Sequence, residues 1–567
     1  MITNPISVYI NWAAYDELSD NVELTEAIAM EQLDHLLRLR QRGVRFDYYV
    51  MDAFWYARAG GYRAWRQPHW PNGPEAWLKK CLENDVKPGL WLASNALWCQ
   101  LEPTPAWRDS VSSNGNSCCL FKGGFLNDFL AMMHEWYERG IRLFKFDFAD
   151  FAAATPELER TMLPSEIRMA NIAAFSAGLK SFRQTHSEVV LIAYNGFEEV
   201  VTQSNTSVPV RKAIDTHWLE VFDSLYCGDP RPADVPAMRF WRAKDIYSDH
   251  QVRVYEASGL PLSRIDNTAF MVANTGTCYF RKTEAWKGML ILSLARGGWV
   301  NTYYGNLDLL DDAQTAWFAQ AQGLFMPLQA AGQISTFGGL PGRGEAYGFL
   351  ARQPAGLLAT VVNPAQCVAT LALPAMDLQG QRLLFRDAGF EPVLTTETIT
   401  LGPEQMAVVG LGCYADPAHD LGVQDDVIIP RQIEPLAAEF KADGINAIGA
   451  TIVPPASGSI RFGIQLKAKD GQALRLSGGA PPKGRPMDQL IQLSATQDGK
   501  PVAVRIEYDK QIWSGLSWAM GEIDVAELRA GVPLTLRGCA ESPAITGQLH
   551  RVQYLTGSTP RHGIGGG

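Results

Sequence analysis

A chain of 567 residues with 47% hydrophobic and 19% charged side chains is too long for one ordinary domain and too apolar for disorder, so two or three packed domains are expected. The formal net charge of -10 and the lack of any Lys/Arg block interleaved with aromatics argue against a nucleic-acid or anionic-membrane partner and favour a small or neutral ligand. The nine cysteines, odd in number and without paired C-x-x-C spacing, read as reduced thiols, with no metal site and no cofactor implied.

The first residues, MITNPISVYINW, lack a basic segment followed by an apolar one, and no run of about 18 uncharged apolar residues occurs. A cytoplasmic protein without a membrane span is expected. Oligomeric state is left open, and a homo-oligomer is compatible with the sequence.

Between residue 6 and about 320, short apolar runs alternate with longer helical stretches, the pattern of parallel βαβ units. Eight runs qualify: residues 6–12, 46–52, 88–94, 142–148, 189–195, 223–229, 267–274 and 299–305. After the first, LTEAIAMEQLDHLLRLRQRG carries apolar residues at helical spacing, with Gly43 as its stop. Eight units of this size predict a (β/α)₈ TIM barrel over 1–332, with its active site at the C-terminal strand ends. The texture then changes to short runs broken by Gly, Pro and Asn, which predicts an antiparallel β-sandwich over 333–415. Residues 416–434 read as a linker, 435–557 as a second β domain of sandwich type, and 558–567 as a disordered tail.

The segment Arg142-Leu-Phe-Lys-Phe-Asp-Phe-Ala-Asp-Phe151 is the most informative. Strand alternation sends Lys145 and Asp147 into the barrel and Phe144, Phe146 and Phe148 outward under the helices. Lys145 beside Asp147 would keep that carboxylate ionised, as a glycosidase nucleophile must be. A structural ion pair closing the barrel is the alternative.

A second carboxylate is needed as general acid, and Asp229 in Ser224-Leu-Tyr-Cys-Gly-Asp-Pro-Arg-Pro232 is the best placed, at a strand-to-loop junction two strands further on. Arg231 would act against a raised pKa there, and a turn-forming Asp before Pro is the plainer reading of Asp229 alone. Asp52 ends the second run and is followed by Trp55, a carboxylate for sugar hydroxyls beside an aromatic cover. Trp12, Trp91, Asn95, Tyr194, Asn195 and Tyr303 fall at or near the same predicted rim. Trp513 and Trp518 in the last domain suit either a stacking platform or its core.

In this order the landmarks resemble clan D of the glycoside hydrolases, the α-galactosidase and raffinose-synthase group of families 27 and 36. They are D-x-x-W (Asp52 to Trp55), P-G-L-W (Pro88 to Trp91), K-x-D (Lys145, Asp147) and G-N-L-D-L-L (Gly305 to Leu310), all within the barrel, and the resemblance as a whole covers the barrel and the first sandwich. The resemblance implies a retaining, exo-acting α-glycosidase with Asp147 as nucleophile, Asp229 as acid/base, and Asp52, Trp91 and Lys145 on the glycone. α-Galactosidase is the single specificity it favours. The C-x-x-G-x-G-R-x-D signature of family 36 is replaced by Tyr194-Asn-Gly-Phe-Glu and, later, Trp218-Leu-Glu-Val-Phe-Asp223, which leaves the usual reader of the sugar 2-hydroxyl unassigned. Asp245, Asp249 and Asp266 are alternative acids. Transfer to a second sugar, as in raffinose-synthase relatives, and a non-catalytic sugar-binding barrel are the competing functions. A metal-dependent hydrolase would need clustered His ligands at strand ends, which the nine His do not form.

Overall fold

Eight parallel strand positions form a nearly closed barrel: β1 (Ile6–Ile10), β2 (Tyr48–Met51), β3 (Lys87–Leu92), β4 (Leu143–Phe146), β5 (Val190–Ala193), β6 (Ser224–Tyr226), β7 and β8 (Val300–Gly305). The computed structural model describes residues 1–12, 23–53, 55–201, 211–228, 232–235, 238–266, 270–273, 283–374, 380–467, 491–506, 518–540 and 544–555. β7 is made of two pieces. Ile265–Asp266 pairs with β6 and Phe270–Val272 pairs with β8, so this strand begins at 265 rather than at the expected 267. The ring closes on the other side where β1 pairs with β8, Ile6 against Val300.

Helices follow most strands: α1 (Glu26–Gln41), α2 (Glu75–Glu83), α3 (Phe125–Glu138), α4 (Pro164–Thr185), α5 (Phe240–Ala257), α6 (Trp286–Ala295) and α7 (Asp312–Ala331). The helix α1 starts where the Thr25 hydroxyl accepts from the Ile28 amide, and Gly43, at φ +95°, lies just past its end. The fifth unit departs from the pattern. Between β5 and β6 the described chain forms a hairpin, Glu198–Val201 against Arg211–Ile214, and a short 3₁₀ turn, Thr216–Glu220. None of the described helices is long and apolar enough to cross a membrane.

Alternation along each strand divides the side chains into two cores. Val8, Ile10, Val50, Leu143 and Ile192 fill the barrel, while Tyr9, Tyr49, Phe144 and Phe146 pack outward beneath the helices.

After the barrel comes a six-stranded sheet, in the order Ile334–Gly338, Tyr347–Gln353, Gly356–Val362, Met406–Gly412, Gln381–Ala388 and Gly422–Ile428. A three-stranded sheet (Ala369–Ala372, Thr398–Leu401, Val393–Leu394) packs on it through Leu371, Ile399 and Leu401. The stretch expected as a linker is therefore structured. Gly422–Ile428 pairs in parallel with Gln381–Ala388, and Gln432–Pro435 pairs with Ala544–Gln553 of the last domain. That domain is two five-stranded sheets facing each other across Ile460, Phe462, Leu534 and Leu536. Trp518 is buried within it; Trp513 lies outside the described residues.

The start of α5 is where the three parts meet. Phe240 packs against Ile448, Ile464 and Ala519 of the last domain, and Trp241 against Val427, Ile429 and Ala285. Arg242 holds Asp387 of the first sandwich at 2.8 Å and Asp245 at 2.8 Å. Beside it Arg461 bridges Glu404 (3.1 Å) and Glu522 (2.8 Å), and Arg239 also reaches Glu522, at 3.3 Å. Asp249, further along α5, binds Arg296 at 2.5 Å and accepts from the Tyr347 hydroxyl. Asp245 and Asp249 are thus engaged in the junction between α5 and the sandwich and not at the barrel mouth.

Candidate functional site

The mouth of the barrel is built by β2 to β5 and β8. Asp52 follows β2 directly, its backbone amide bonded to the Asn11 side chain at 2.8 Å, and its Oδ1 accepts from Ala53 N at 2.7 Å. Its Oδ2 stands 2.7 Å from Lys145 Nζ, with the two side chains 1% and 4% exposed. The ammonium also lies over the Tyr194 ring, 4.1 Å from its centroid, and 3.5 Å from the Tyr304 hydroxyl. Lys145 points inward as strand alternation requires, but its partner is Asp52 and not Asp147.

Asp147 is held by its neighbours. Oδ1 accepts from Phe148 N (3.0 Å), Asn195 N (3.1 Å) and Asn195 Nδ2 (3.1 Å), and Oδ2 accepts from Trp91 Nε1 (3.1 Å). Donors converging on a nearly buried carboxyl group, 6% exposed, suit its ionised form and fix its direction. Asn195 can reach it because the loop after β5 crosses the loop after β4 at Gly196, where φ is +101° and a Cβ would lie 2.3 Å from the Ala149 backbone.

Behind the ion pair a polar chain crosses the barrel. The Tyr194 hydroxyl meets that of Tyr304 at 2.9 Å and donates to Asp266 Oδ2 at 2.9 Å, while Thr302 donates to Asp266 Oδ1 at 2.9 Å. Burial pushes the Asp266 carboxyl up to about 6, against the lowering effect of those two hydroxyls and of Lys145. Tyr194 stacks on Tyr226, centroids 4.2 Å apart, and burial raises the Tyr194 and Tyr304 hydroxyls well above the ordinary range.

The other sequence candidates divide. Trp12 is half-buried at the mouth, edge-on to Tyr304 at 6.4 Å. Trp55 is fully buried, donates to the Trp91 carbonyl and packs among Trp65, Tyr62 and Trp136, so it belongs to the core and covers no open pocket. Asn95 is spent on the chain, donating to the Cys118 and Asp150 carbonyls and accepting from Asp150 N. Tyr303 faces outward against Phe46 and Phe318, its hydroxyl bonded to Gln322; Tyr304 is the inward residue. Phe148, at φ +52°, packs against the outward core as expected and also meets Trp98, centroids 4.6 Å apart. Asp229 and Arg231 lie outside the described residues.

Tyr226, Tyr304 and Trp98 were not singled out from sequence. The inward positions follow from counting along β8 in register with β1, a signal that a one-residue slip conceals. Trp98 is on a loop, where no periodicity marks it.

No protein-family model matches the chain, and no curated protein matches it. Among solved structures it is similar to a family 36 α-galactosidase from Geobacillus stearothermophilus in complex with raffinose, at 11% identity and a TM-score of 0.47, over 72% of this chain and 55% of that one. A family 27 β-L-arabinopyranosidase from the same organism, in complex with arabinose, matches at 12% identity and a TM-score of 0.46, over 72% and 97%. Isomaltulose synthase from Klebsiella matches at 10% and 0.46, over 72% and 99%. The chain spans about half the length of the family 36 enzyme.

Proposed function

We propose that this chain is a glycoside hydrolase that removes a terminal α-linked sugar with net retention of anomeric configuration. The observation that carries the reading is the placement of Asp147. A carboxyl group oriented by Trp91 and Asn195 stands at the barrel mouth above a buried floor that ends in the Asp52–Lys145 pair. The ion pair and the hydroxyls beside it offer donors and acceptors to sugar hydroxyls.

In this reading Asp147 attacks the anomeric carbon as Asp229 protonates the departing oxygen, giving a glycosyl-aspartate. Asp229, now a carboxylate, takes a proton from water, which attacks the same carbon and frees Asp147. Asp52, Lys145 and Trp12 contact the glycone, with Tyr194 supporting Lys145 from behind; Trp91 and Asn195 orient the nucleophile; Arg231 lies beside the acid in the sequence. The order of the D-x-x-W, P-G-L-W and K-x-D landmarks supports an α-galactosidase-like specificity.

A panel of p-nitrophenyl glycosides of both anomers identifies the glycone, and a proton-NMR time course identifies the first-released anomer. The expected result is hydrolysis of an α-glycoside with the α-anomer appearing first. Release of the β-anomer first, or normal activity in an Asp147→Ala protein, overturns the mechanism. Inertness toward the whole panel with retained sugar binding would instead support a binding barrel.

A further inference from the structure

The rim of the barrel carries an aromatic ring that the glycone floor does not use. Trp98, on the loop after β3, is 57% exposed, although most large rings of this half of the chain are buried. Single exposed apolar residues are ordinary, so its exposure alone says little. Its setting says more. Trp98 rests on Phe148, 4.6 Å between centroids at a 54° tilt, and Phe148 is the residue directly after Asp147.

Phe148 adopts φ +52°, a left-handed conformation that is strained for a bulky side chain. Two things follow from that strained turn. The Phe148 amide is aimed at Asp147 Oδ1, and the ring packs on both Trp91 and Trp98. The loop under Trp98 is itself pinned. Ala96 bridges Ser117, Val111 bridges Cys118, Asn95 binds the Cys118 and Asp150 carbonyls, and the Trp98 amide donates to Asn116 O.

A rigid, exposed indole is therefore coupled through one residue to the carboxyl group proposed as nucleophile. A sugar whose hydroxyls reach down to Asp52 and Lys145 and whose anomeric carbon sits over Asp147 must project its leaving group outward. A leaving group directed past Phe148 would meet the exposed face of Trp98. We infer that Trp98, backed by Phe148, forms the wall of a leaving-group subsite that selects glycosides whose aglycone is a ring with an apolar face. The inference rests on the glycosidase reading above and adds the substrate class to it. The C–H face of a pyranose, or an aryl ring, stacks on indole; a small leaving group gains nothing there.

The test compares α-galactosyl fluoride, p-nitrophenyl α-galactoside and the disaccharide melibiose on the wild-type protein and its Trp98→Ala and Trp98→Phe variants. The expected result is that Trp98→Ala lowers kcat/KM for the disaccharide about tenfold more than for the fluoride, chiefly through KM, with Trp98→Phe in between. Equal losses on all three substrates, or no loss on any, overturns the subsite while leaving the glycosidase reading intact. A wild-type protein that hydrolyses none of the three overturns the α-galactosidase-like specificity and the subsite built on it.

Discussion

Lys145 Nζ lies 2.7 Å from Asp52 Oδ2 and thereby joins the fourth strand of the barrel to the second. Both groups are almost wholly removed from solvent, so each is tolerable only because of the other. Removing one partner of such a pair typically costs about 3–5 kcal/mol, whereas replacing both is much less harmful. Lys145→Met should therefore be severely destabilised in urea unfolding, and Lys145→Met/Asp52→Asn should recover most of the loss. Neither variant should recover activity, because sugar hydroxyls lose both partners. A double variant as active as wild type would remove this pair from the site.

Asn195 binds Asp147 Oδ1 with both its backbone amide and its side chain. Asn195→Ala removes the Nδ2 donor but keeps the backbone one. A lost hydrogen bond to a charged group is worth about 1.5–3 kcal/mol, so kcat should fall about 10- to 100-fold, with unfolding displaced little. Kinetics and thermal melts on the same preparation check this, and a large stability loss with unchanged kcat contradicts it.

Asp266 gives a pH signature. Burial raises its carboxyl to about 6, so the folded chain holds that proton more tightly than the unfolded one. The associated stability is present in full below the ordinary aspartate value and is lost as pH rises through about 6. Asp266→Asn, neutral throughout, should lack this dependence. The wild-type advantage over the variant should shrink by on the order of 2 kcal/mol between pH 4 and pH 7. Urea titrations at the two pH values measure it, and a constant difference contradicts the assignment.

The junction at α5 predicts cooperation between domains. Although burial favours the neutral form of Glu522, the charges of Arg239, Arg461 and Arg505 hold its carboxyl well below the ordinary range. Glu522→Gln removes the carboxylate that those three guanidiniums share, leaving Arg461 with Glu404. We expect a loss of about 3 kcal/mol or more and earlier proteolysis around residue 430, where the chain passes between sandwiches. Proteolysis unchanged from wild type would mean that the last domain is held by apolar contacts such as Phe240 alone.

The barrel was legible because two periods alternate along the first half of the sequence. Residues such as Phe144, Lys145 and Phe146 sort to opposite faces by strand geometry alone. The fifth unit was not legible, since its described residues form a hairpin and a 3₁₀ turn whose short runs carry neither period. Burial separated residues that composition could not. Trp55 and Trp98 are both tryptophans near strand ends, yet one is enclosed by the rings of Tyr56, Tyr62, Trp65 and Trp136 and the other is open to solvent. Register separated Tyr303 from Tyr304, neighbours in sequence that face opposite sides of β8. The segment 416–434 looked like a linker because Gly422–Ile428 has charged residues in a strand whose pairing partner, Gln381–Ala388, is remote in sequence. Partner choice was the least legible feature of the site: Lys145 is two residues from Asp147 but pairs with a residue 93 positions away.

The central claim is that Asp147 forms a bond to the sugar. Incubation with a 2-deoxy-2-fluoro-α-glycosyl fluoride of the accepted glycone, followed by peptide mass spectrometry, tests it directly. The account predicts time-dependent inactivation and one added sugar on the peptide that contains Asp147. An adduct on a different carboxylate, or inactivation that leaves this peptide unmodified, would contradict it.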